Sequence, residues 1–404
     1  MDYTLNTNPL YSMAKPIGSK CNLACTYCYY KEKGFLFGGN VKEVMDDSTL
    51  ELYIKQYIEM QPAGSPVLFT WHGGEPLLRP MSFYRKALEY ERKYANGHPI
   101  DNSLQTNGTL ITEDWAWFFK DNQFLLGVSI DGPEDIHDKY RLSVNGRPSW
   151  KQVMQGIELL DRVGAEWNAL AVVGQHNVTR PLDFYHFFKE IGCHFIQFTP
   201  LVERFLEHLD GRYLASPIER SEKGMAPFSV DPDGWGHFLC TIFDEWVKND
   251  VGEYFIQMFD STLARWMGLP PSVCTLAETC GHASIVEWNG DVFVCDHYAF
   301  PEFRLGNIHE RHLYDMMSSP AVKAFGNNKR DKLTKRCREC EFLFACNGEC
   351  PRNRFVSSEL GDFGNNYLCR GYKRFFAHVA PYMDYMKKCL MQGRPASDVM
   401  TAEI

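Results

Sequence analysis

The sequence predicts an α/β fold, a parallel barrel or open sheet, with a separate cysteine-rich region behind it. Two observations predict this. Between residue 11 and about residue 200, short apolar runs alternate with longer amphipathic ones, the pattern of strands that each lead into a helix. The fourteen cysteines are spaced unevenly: three crowd at Cys21, Cys25 and Cys28, and eight fall between Cys274 and Cys369. Only Cys193, Cys240 and Cys389 stand alone.

Taken in order, the strand candidates are residues 11–16, 67–71, 103–106, 124–130, 167–173 and 195–198. Helical patterns cover 47–60, 81–94, 113–121, 150–163 and 181–191, the first with Ser48 and Glu51 spaced as a capping box. In such folds the chemistry gathers at the C-terminal ends of the strands. Residues 202–235 are polar and turn-rich, which predicts an irregular excursion. Residues 238–249 and 252–268 read as bridging helices, and 372–391 as a closing amphipathic helix.

A chain of 404 residues, 45% hydrophobic, can bury a large core as one big domain or two unequal ones. Its net charge of −9 gives no footprint for nucleic acid. No apolar run approaches the ~18–20 residues of a membrane span, and the N-terminus lacks the basic and apolar regions of a secretory signal. A cytoplasmic protein is expected. In that reducing compartment cysteines ligate metal or fill the core rather than form disulfides; Cys193, Cys240 and Cys389 sit in apolar stretches and read as core residues.

KCNLACTYCYY places three thiols within eight residues, directly after the first strand. A [4Fe–4S] cube takes four ligands, so three local cysteines leave one iron open to a small molecule. A zinc site or a redox CxxC pair is the blander reading of the same residues. WHGGEP at 71–76 follows the second strand; its glycines let backbone approach a ligand closely, though Gly-Gly is also common in ordinary turns.

CNLACTYCYY resembles the CxxxCxxC loop of the radical S-adenosylmethionine enzymes, and WHGGEP resembles their GGEP motif. The resemblance implies a partial (β/α)6 TIM-like barrel. It also implies that Cys21, Cys25 and Cys28 hold a [4Fe–4S] cluster whose open iron chelates the methionine part of S-adenosylmethionine and releases a 5′-deoxyadenosyl radical. Tyr27 would lie near the cofactor and Gly74 at its amino group. Ser129 would bond the ribose, Arg141 would pair with the carboxylate, and Gln197 and Leu201 would flank the adenine. AVVGQHN at 171–177 departs from the family's strand-five pattern, which puts adenine contacts there in doubt. Without the resemblance, Tyr27 reads as a packing aromatic and Arg141 as a surface ion pair.

The second field comprises Cys274, Cys280, Cys295, Cys337, Cys340, Cys346, Cys350 and Cys369. Eight thiolates make two four-ligand sites; by spacing alone Cys337, Cys340, Cys346 and Cys350 also suit a zinc ribbon. The pattern resembles the twin-cluster SPASM domain of radical enzymes that modify peptides. By that resemblance Cys274, Cys280, Cys295 and Cys350 hold one auxiliary [4Fe–4S] cluster and Cys337, Cys340, Cys346 and Cys369 the other, three clusters in all. The implied organisation is a radical domain over 1–235, a helical linker over 236–273, a SPASM domain over 274–369 and a C-terminal helix and tail over 370–404.

SLQTNGTLI at 103–111, SIDGPEDIHDKYR at 129–141, VCDHY at 294–298 and RLGNI at 304–308 are similar to the anaerobic sulfatase-maturating enzymes. That family oxidises a cysteine or serine of a sulfatase peptide to Cα-formylglycine. The resemblance implies an unfolded or nascent sulfatase partner carrying Cys-x-Pro-x-Arg or Ser-x-Pro-x-Arg, and an electron donor such as flavodoxin or ferredoxin. It places Asp296 as the base that deprotonates the substrate thiol or hydroxyl; a turn aspartate orienting the cysteine loop is the plainer reading. Glu349 and Arg352, near Cys350, could read the partner peptide; surface charge is the plainer reading. The alternatives are a SPASM-type maturase forming thioether or C–C crosslinks, and a non-enzymatic electron-transfer or zinc-scaffold protein.

Overall fold

The computed structural model describes residues 9–36, 44–208, 211–219 and 221–404. The first eight residues of the stretch read for a secretory signal, and positions 209, 210 and 220 of the polar excursion, lie outside them. The six expected strands are present: β1 (Tyr11–Lys15), β2 (Val67–Trp71), β3 (Ile100–Thr106), β4 (Phe124–Ser129), β5 (Trp167–Val173) and β6 (Phe195–Pro200). The amphipathic runs between them form helices Asp47–Glu59, Met81–Tyr94, Glu113–Asp121, Trp150–Val163 and Pro181–Glu190. The alternation therefore gives an α/β fold with a mostly parallel sheet.

The expected capping box does not form. Asp46 caps the helix Asp47–Glu59, accepting from the Thr49 N–H at 2.8 Å, because a carboxylate two residues before Ser48 is the stronger acceptor. Glu51 instead accepts from Lys93 Nζ at 2.6 Å.

The chain divides into two compact units. The first holds residues 1–129, 140–167 and 281–326. In it β1, β2, β3 and β4 lie side by side and parallel. On the other flank of β1 runs the parallel strand Ala283–Glu287, which pairs Tyr11 with Ala283 and Lys15 with Glu287. Antiparallel strands Asp291–Phe293 and Arg304–Asn307 complete that edge. The core between sheet and helices is aromatic: Tyr57 meets Phe69 edge-on at 5.1 Å, and Phe69 stacks on Trp71 at 6.1 Å. These rings are fully buried, so the parallel strands are held from behind while their C-terminal ends remain available for loops.

The second unit holds residues 130–139, 168–280 and 327–404. Parallel β5 and β6 are joined by the short strand Phe255–Ile256. Where the sequence predicts an irregular excursion, strands Phe205–His208 and Gly211–Leu214 pair antiparallel. The polar SVDPDGWG opens a helix, Pro232–Asn249: Asp231 accepts from the N–H groups of Asp233 and Gly234, and Pro232 occupies the first turn. Cap chemistry had read as turn chemistry, since the same residue types serve both. The expected helix over 252–268 is shorter, Gln257–Trp266. The closing helix, Cys369–Met391, crosses Pro232–Asn249 where two glycines meet. A Cβ on Gly371 would lie 2.2 Å from the Pro232 carbonyl oxygen, and one on Gly236 would lie 2.8 Å from Gly371 Cα. Among the described residues, no helix is long and apolar enough to cross a membrane.

Candidate active site

The three-cysteine loop leaves β1 and is held from beneath by the loop after β2. The Gly74 N–H donates to the Gly18 carbonyl at 2.7 Å and the Glu75 N–H to the Lys20 carbonyl at 2.8 Å. A Cβ on Gly74 would stand 1.9 Å from the Lys20 oxygen. The glycine expected at the cofactor is thus demanded first by the cysteine loop itself. Glu75 is fully buried and ties three loops together, accepting from Leu77 N–H at 2.9 Å, Thr106 Oγ1 at 2.8 Å and Asn107 N–H at 2.8 Å. Burial pushes its carboxyl up to about 7 against those hydrogen bonds. Asn107 in turn donates to Cys21 Sγ at 3.6 Å and to Asn22 Oδ1 at 2.8 Å. The QTNG motif at the end of β3 is therefore a clamp on the cysteine loop.

Burial pushes the Cys21 thiol up to about 11; the Leu23 N–H opposes the rise, while Glu75 and Cys28 add to it. A thiolate at such a place needs a cationic partner, so the donor chemistry of Cys21, Cys25 and Cys28 suits an iron–sulfur cluster. All three are only partly buried.

Tyr27 is buried, with the Arg141 guanidinium 5.5 Å from its ring centroid and Tyr140 edge-on at 6.2 Å. Arg141 is 7% exposed, which sets aside the surface reading. Ser129 ends β4, its Oγ accepting from Gln105 Nε2 at 3.2 Å. In the second unit Leu201 directly follows β6; its N–H bonds the Val173 carbonyl at 2.8 Å. Gln197 is half-buried on the same strand. The unmatched stretch 171–177 closes on itself, Asn177 accepting from Gly174 N–H and donating to the Val172 carbonyl.

Asp296 stands just past the strand Asp291–Phe293, at the start of a short 3-10 turn. Four side chains of the first unit surround it. Lys15 Nζ lies 2.7 Å from Oδ1, the Tyr29 hydroxyl donates to Oδ2, and Lys33 Nζ donates to the Asp296 carbonyl at 2.5 Å. His72 Nδ1 lies 3.1 Å from Lys15 Nζ and accepts from the Gly73 N–H at 2.7 Å, which leaves the proton of the neutral ring on Nε2. Burial would raise the Asp296 carboxyl, but the Lys15 and Lys33 ammonium groups hold it well below the usual carboxylate range. Burial, helped by Lys15, lowers His72 to about 3. Beside them the Tyr30 hydroxyl donates to Glu287, whose carboxyl burial pushes up to about 7. The site is thus an ionised carboxylate against two fully buried ammonium groups, with a neutral imidazole alongside.

In the second unit Cys337, Cys340, Cys346 and Cys369 line one cavity, walled by Phe342, Leu343, Tyr372 and Phe376. Cys350 is not among its lining residues. Burial raises the Cys346 and Cys369 thiols, and neighbouring cysteines add to each rise; a cationic cluster reverses that penalty. Cys274 and Cys280 are likewise raised by burial, with the Lys329 ammonium countering. Cys295 lies in the first unit, adjacent to Asp296.

Glu349 and Arg352 are not surface charges. Glu349 is fully buried and accepts from Asn366 Nδ2 at 2.5 Å and Asn353 Nδ2 at 3.2 Å; Arg352 pairs with buried Glu203. Glu349 thereby joins the segments that carry Cys350 and Cys369, while Arg352 is engaged by Glu203. Cys193, Cys240 and Cys389 are buried, as their apolar surroundings implied. Sequence reasoning missed Lys15, Tyr29, Lys33, Glu75 and Asn107, and gave His72 no role. A lysine closing an apolar strand was the available signal for Lys15.

A model of the Radical SAM superfamily matches residues 16–188, and one of an iron-sulfur cluster-binding domain, SPASM, matches residues 278–341. Fold and site define a radical S-adenosylmethionine protein with a C-terminal iron–sulfur domain. The chain is 58% identical to the serine-type anaerobic sulfatase-maturating enzyme of Bacteroides thetaiotaomicron, covering 99% of this chain and 96% of that one. It is 34% identical to the cysteine-type enzyme of Clostridium perfringens, covering 92% and 97%. The solved structure of native anSMEcpe with bound AdoMet and Cp18Cys peptide superposes with a TM-score of 0.83 at 31% identity, covering 95% of this chain and all of that one. The chain belongs to the anaerobic sulfatase-maturating enzymes.

Proposed function

We propose that this enzyme oxidises a serine or cysteine within a Ser/Cys-x-Pro-x-Arg segment of an unfolded or nascent sulfatase to Cα-formylglycine, in the cytoplasm. The similarity to serine-type enzymes at 58% identity favours serine. The observation that carries the reading is the carboxylate of Asp296, fixed between Lys15 and Tyr29. When bound, S-adenosylmethionine and a [4Fe–4S] cluster at Cys21, Cys25 and Cys28 supply a 5′-deoxyadenosyl radical that removes a Cβ hydrogen.

The chain's own part is positioning and proton transfer. Tyr27, Gly74, Ser129, Arg141 and Leu201 would hold the cofactor, Arg141 opposing its carboxylate. Asp296 takes the proton from the substrate oxygen or sulfur; loss of one electron from the carbon radical then leaves the C=O or C=S bond, and water replaces sulfur when the substrate is cysteine. Lys15 and Lys33 keep Asp296 ionised and so able to accept. The sets Cys274, Cys280, Cys295, Cys350 and Cys337, Cys340, Cys346, Cys369 would hold two auxiliary [4Fe–4S] clusters as electron acceptors. The corresponding domains are 1–235, 236–273, 274–369 and 370–404.

The test is anaerobic turnover of short Ser-x-Pro-x-Arg and Cys-x-Pro-x-Arg peptides with reductant and S-adenosylmethionine. Formation of 5′-deoxyadenosine together with an aldehyde-bearing peptide supports the reading. Deoxyadenosine with an intact or crosslinked peptide sinks it.

A further inference from the structure

We propose that a cavity toward the N-terminal ends of β5 and β6 binds the guanidinium group of a substrate arginine, with Asp260 as its counter-charge. The inference rests on the function proposed above, which supplies a peptide carrying one arginine, and it names the receptor for that side chain.

The cavity belongs wholly to the second unit and has a volume of about 200 Å³. Asn168 on β5, Phe195 and Gln197 on β6, Phe255, Gln257 and Asp260 line it. Alternation along a strand puts Phe195 and Gln197 on one face, and Asn168 and Leu170 on one face of the neighbouring strand. Small-molecule sites run to ~300–1,000 Å³, so this one suits a single side chain.

Its charge is negative and unopposed. Asp260 is the one ionisable residue of the lining, and no lysine, arginine or histidine faces it there. Among the described residues Asp260 makes no hydrogen bond or ion pair. It stands in the first turn of the helix Gln257–Trp266, where a carboxylate suits the helix dipole; that explains the charge and not the cavity before it. Burial alone pushes its carboxyl up to about 6, a penalty that a bound cation would reverse.

The rest of the lining selects the kind of cation. Asn168, Gln197 and Gln257 each carry an amide carbonyl oxygen. Gln197 Nε2 lies 3.5 Å from Thr199 Oγ1, which leaves its own oxygen for a donor. A guanidinium brings five N–H groups in a fixed plane to such acceptors. Phe195 and Phe255 stack at 5.0 Å with their planes 11° apart, and they are 50% and 36% exposed. A flat, weakly hydrated guanidinium covers an aromatic face in a way that a compact, strongly hydrated ammonium does not.

The test compares reconstituted wild-type and Asp260→Asn holoenzymes on a Ser-x-Pro-x-Arg peptide and on its counterparts ending in Lys and in Gln. Affinity and anaerobic turnover are measured for each. Wild type is expected to bind the Arg peptide on the order of tenfold more tightly than the Gln peptide, with the Lys peptide between them. Asp260→Asn should bind the Arg peptide as weakly as wild type binds the Gln peptide, and Asp260→Glu should recover part of the preference. A wild type indifferent to the last residue overturns the proposal, as does an Asp260→Asn enzyme that keeps the full preference. Should Asp260→Asn fail to fold, Phe195→Ala on the exposed rim replaces it: a reduced preference for Arg supports the proposal, and an unchanged one overturns it. Aldehyde formation without any preference for Arg removes the role of the cavity alone. If wild type forms no aldehyde from any of the peptides, the functional reading falls and this inference falls with it.

Discussion

Lys15 Nζ and Asp296 Oδ1 stand 2.7 Å apart, joining the last residue of β1 to the residue after a cluster-type cysteine. Lys15 is fully buried and its partner's side chain 20% exposed, so the carboxylate faces outward from a charge that cannot move. Replacing Asp296 with Asn removes the proposed proton acceptor and keeps the shape. Deoxyadenosine formation should persist, while peptide oxidation falls by roughly 10²–10⁴-fold. Undiminished aldehyde formation would remove Asp296 from the mechanism.

Lys15→Met leaves two buried acids, Asp296 and Glu287, short of one counter-charge. Loss of one partner of a buried ion pair costs about 3–5 kcal/mol. Urea unfolding should show a loss of that order, and Lys15→Arg should recover part of it.

A pH dependence follows from Glu91. Its carboxyl is buried, accepts from Asn102 Nδ2 at 2.8 Å on one oxygen, and is pushed up to about 7 by burial. The folded form therefore holds a proton that the unfolded chain releases near 4.5. The stabilisation is full below that value and is lost as pH rises toward 7, by about 3 kcal/mol or less. Urea midpoints of wild type and Glu91→Gln at pH 5 and 7.5 check this: the variant should lose less stability over the interval.

Helix packing in the second unit depends on Gly371. Gly371→Ala places a methyl group against the Pro232 carbonyl and should cost about 1–3 kcal/mol by overpacking. An unchanged urea midpoint would show that the two helices can separate freely.

The two proposed auxiliary cysteine sets predict paired phenotypes. Cys337→Ala and Cys369→Ala should each lower iron by about four atoms per chain and remove the same spectroscopic signal. Cys350→Ala should remove the other signal, in common with Cys274→Ala. A shared signal between Cys350 and Cys337 would contradict the interleaved partition.

Much of this was legible in the residues. Period-two and period-3.6 patterns located all six strands and five of the helices, because burial on one face imposes the period. The cysteine loop and the loop after β2 were legible because their spacing has few other uses. What escaped was whatever depends on contacts between distant segments. Glu75 looked like part of a turn, yet it binds Asn107 across the sheet. Lys15 looked like the end of a strand, yet its register beside Glu287 and its reach to Asp296 make it the centre of the charge network. Asp231 was missed because capping and turn residues are the same types.

The central claim is that Cys21, Cys25 and Cys28 leave one iron of a cubane open to S-adenosylmethionine. Electron–nuclear double resonance on the reduced enzyme, with the cofactor's amino nitrogen labelled with ¹⁵N, tests it most directly. A ¹⁵N coupling that appears on adding cofactor is the predicted result. A cluster whose spectrum the cofactor leaves unchanged, its fourth iron already held by a protein side chain, would contradict the account.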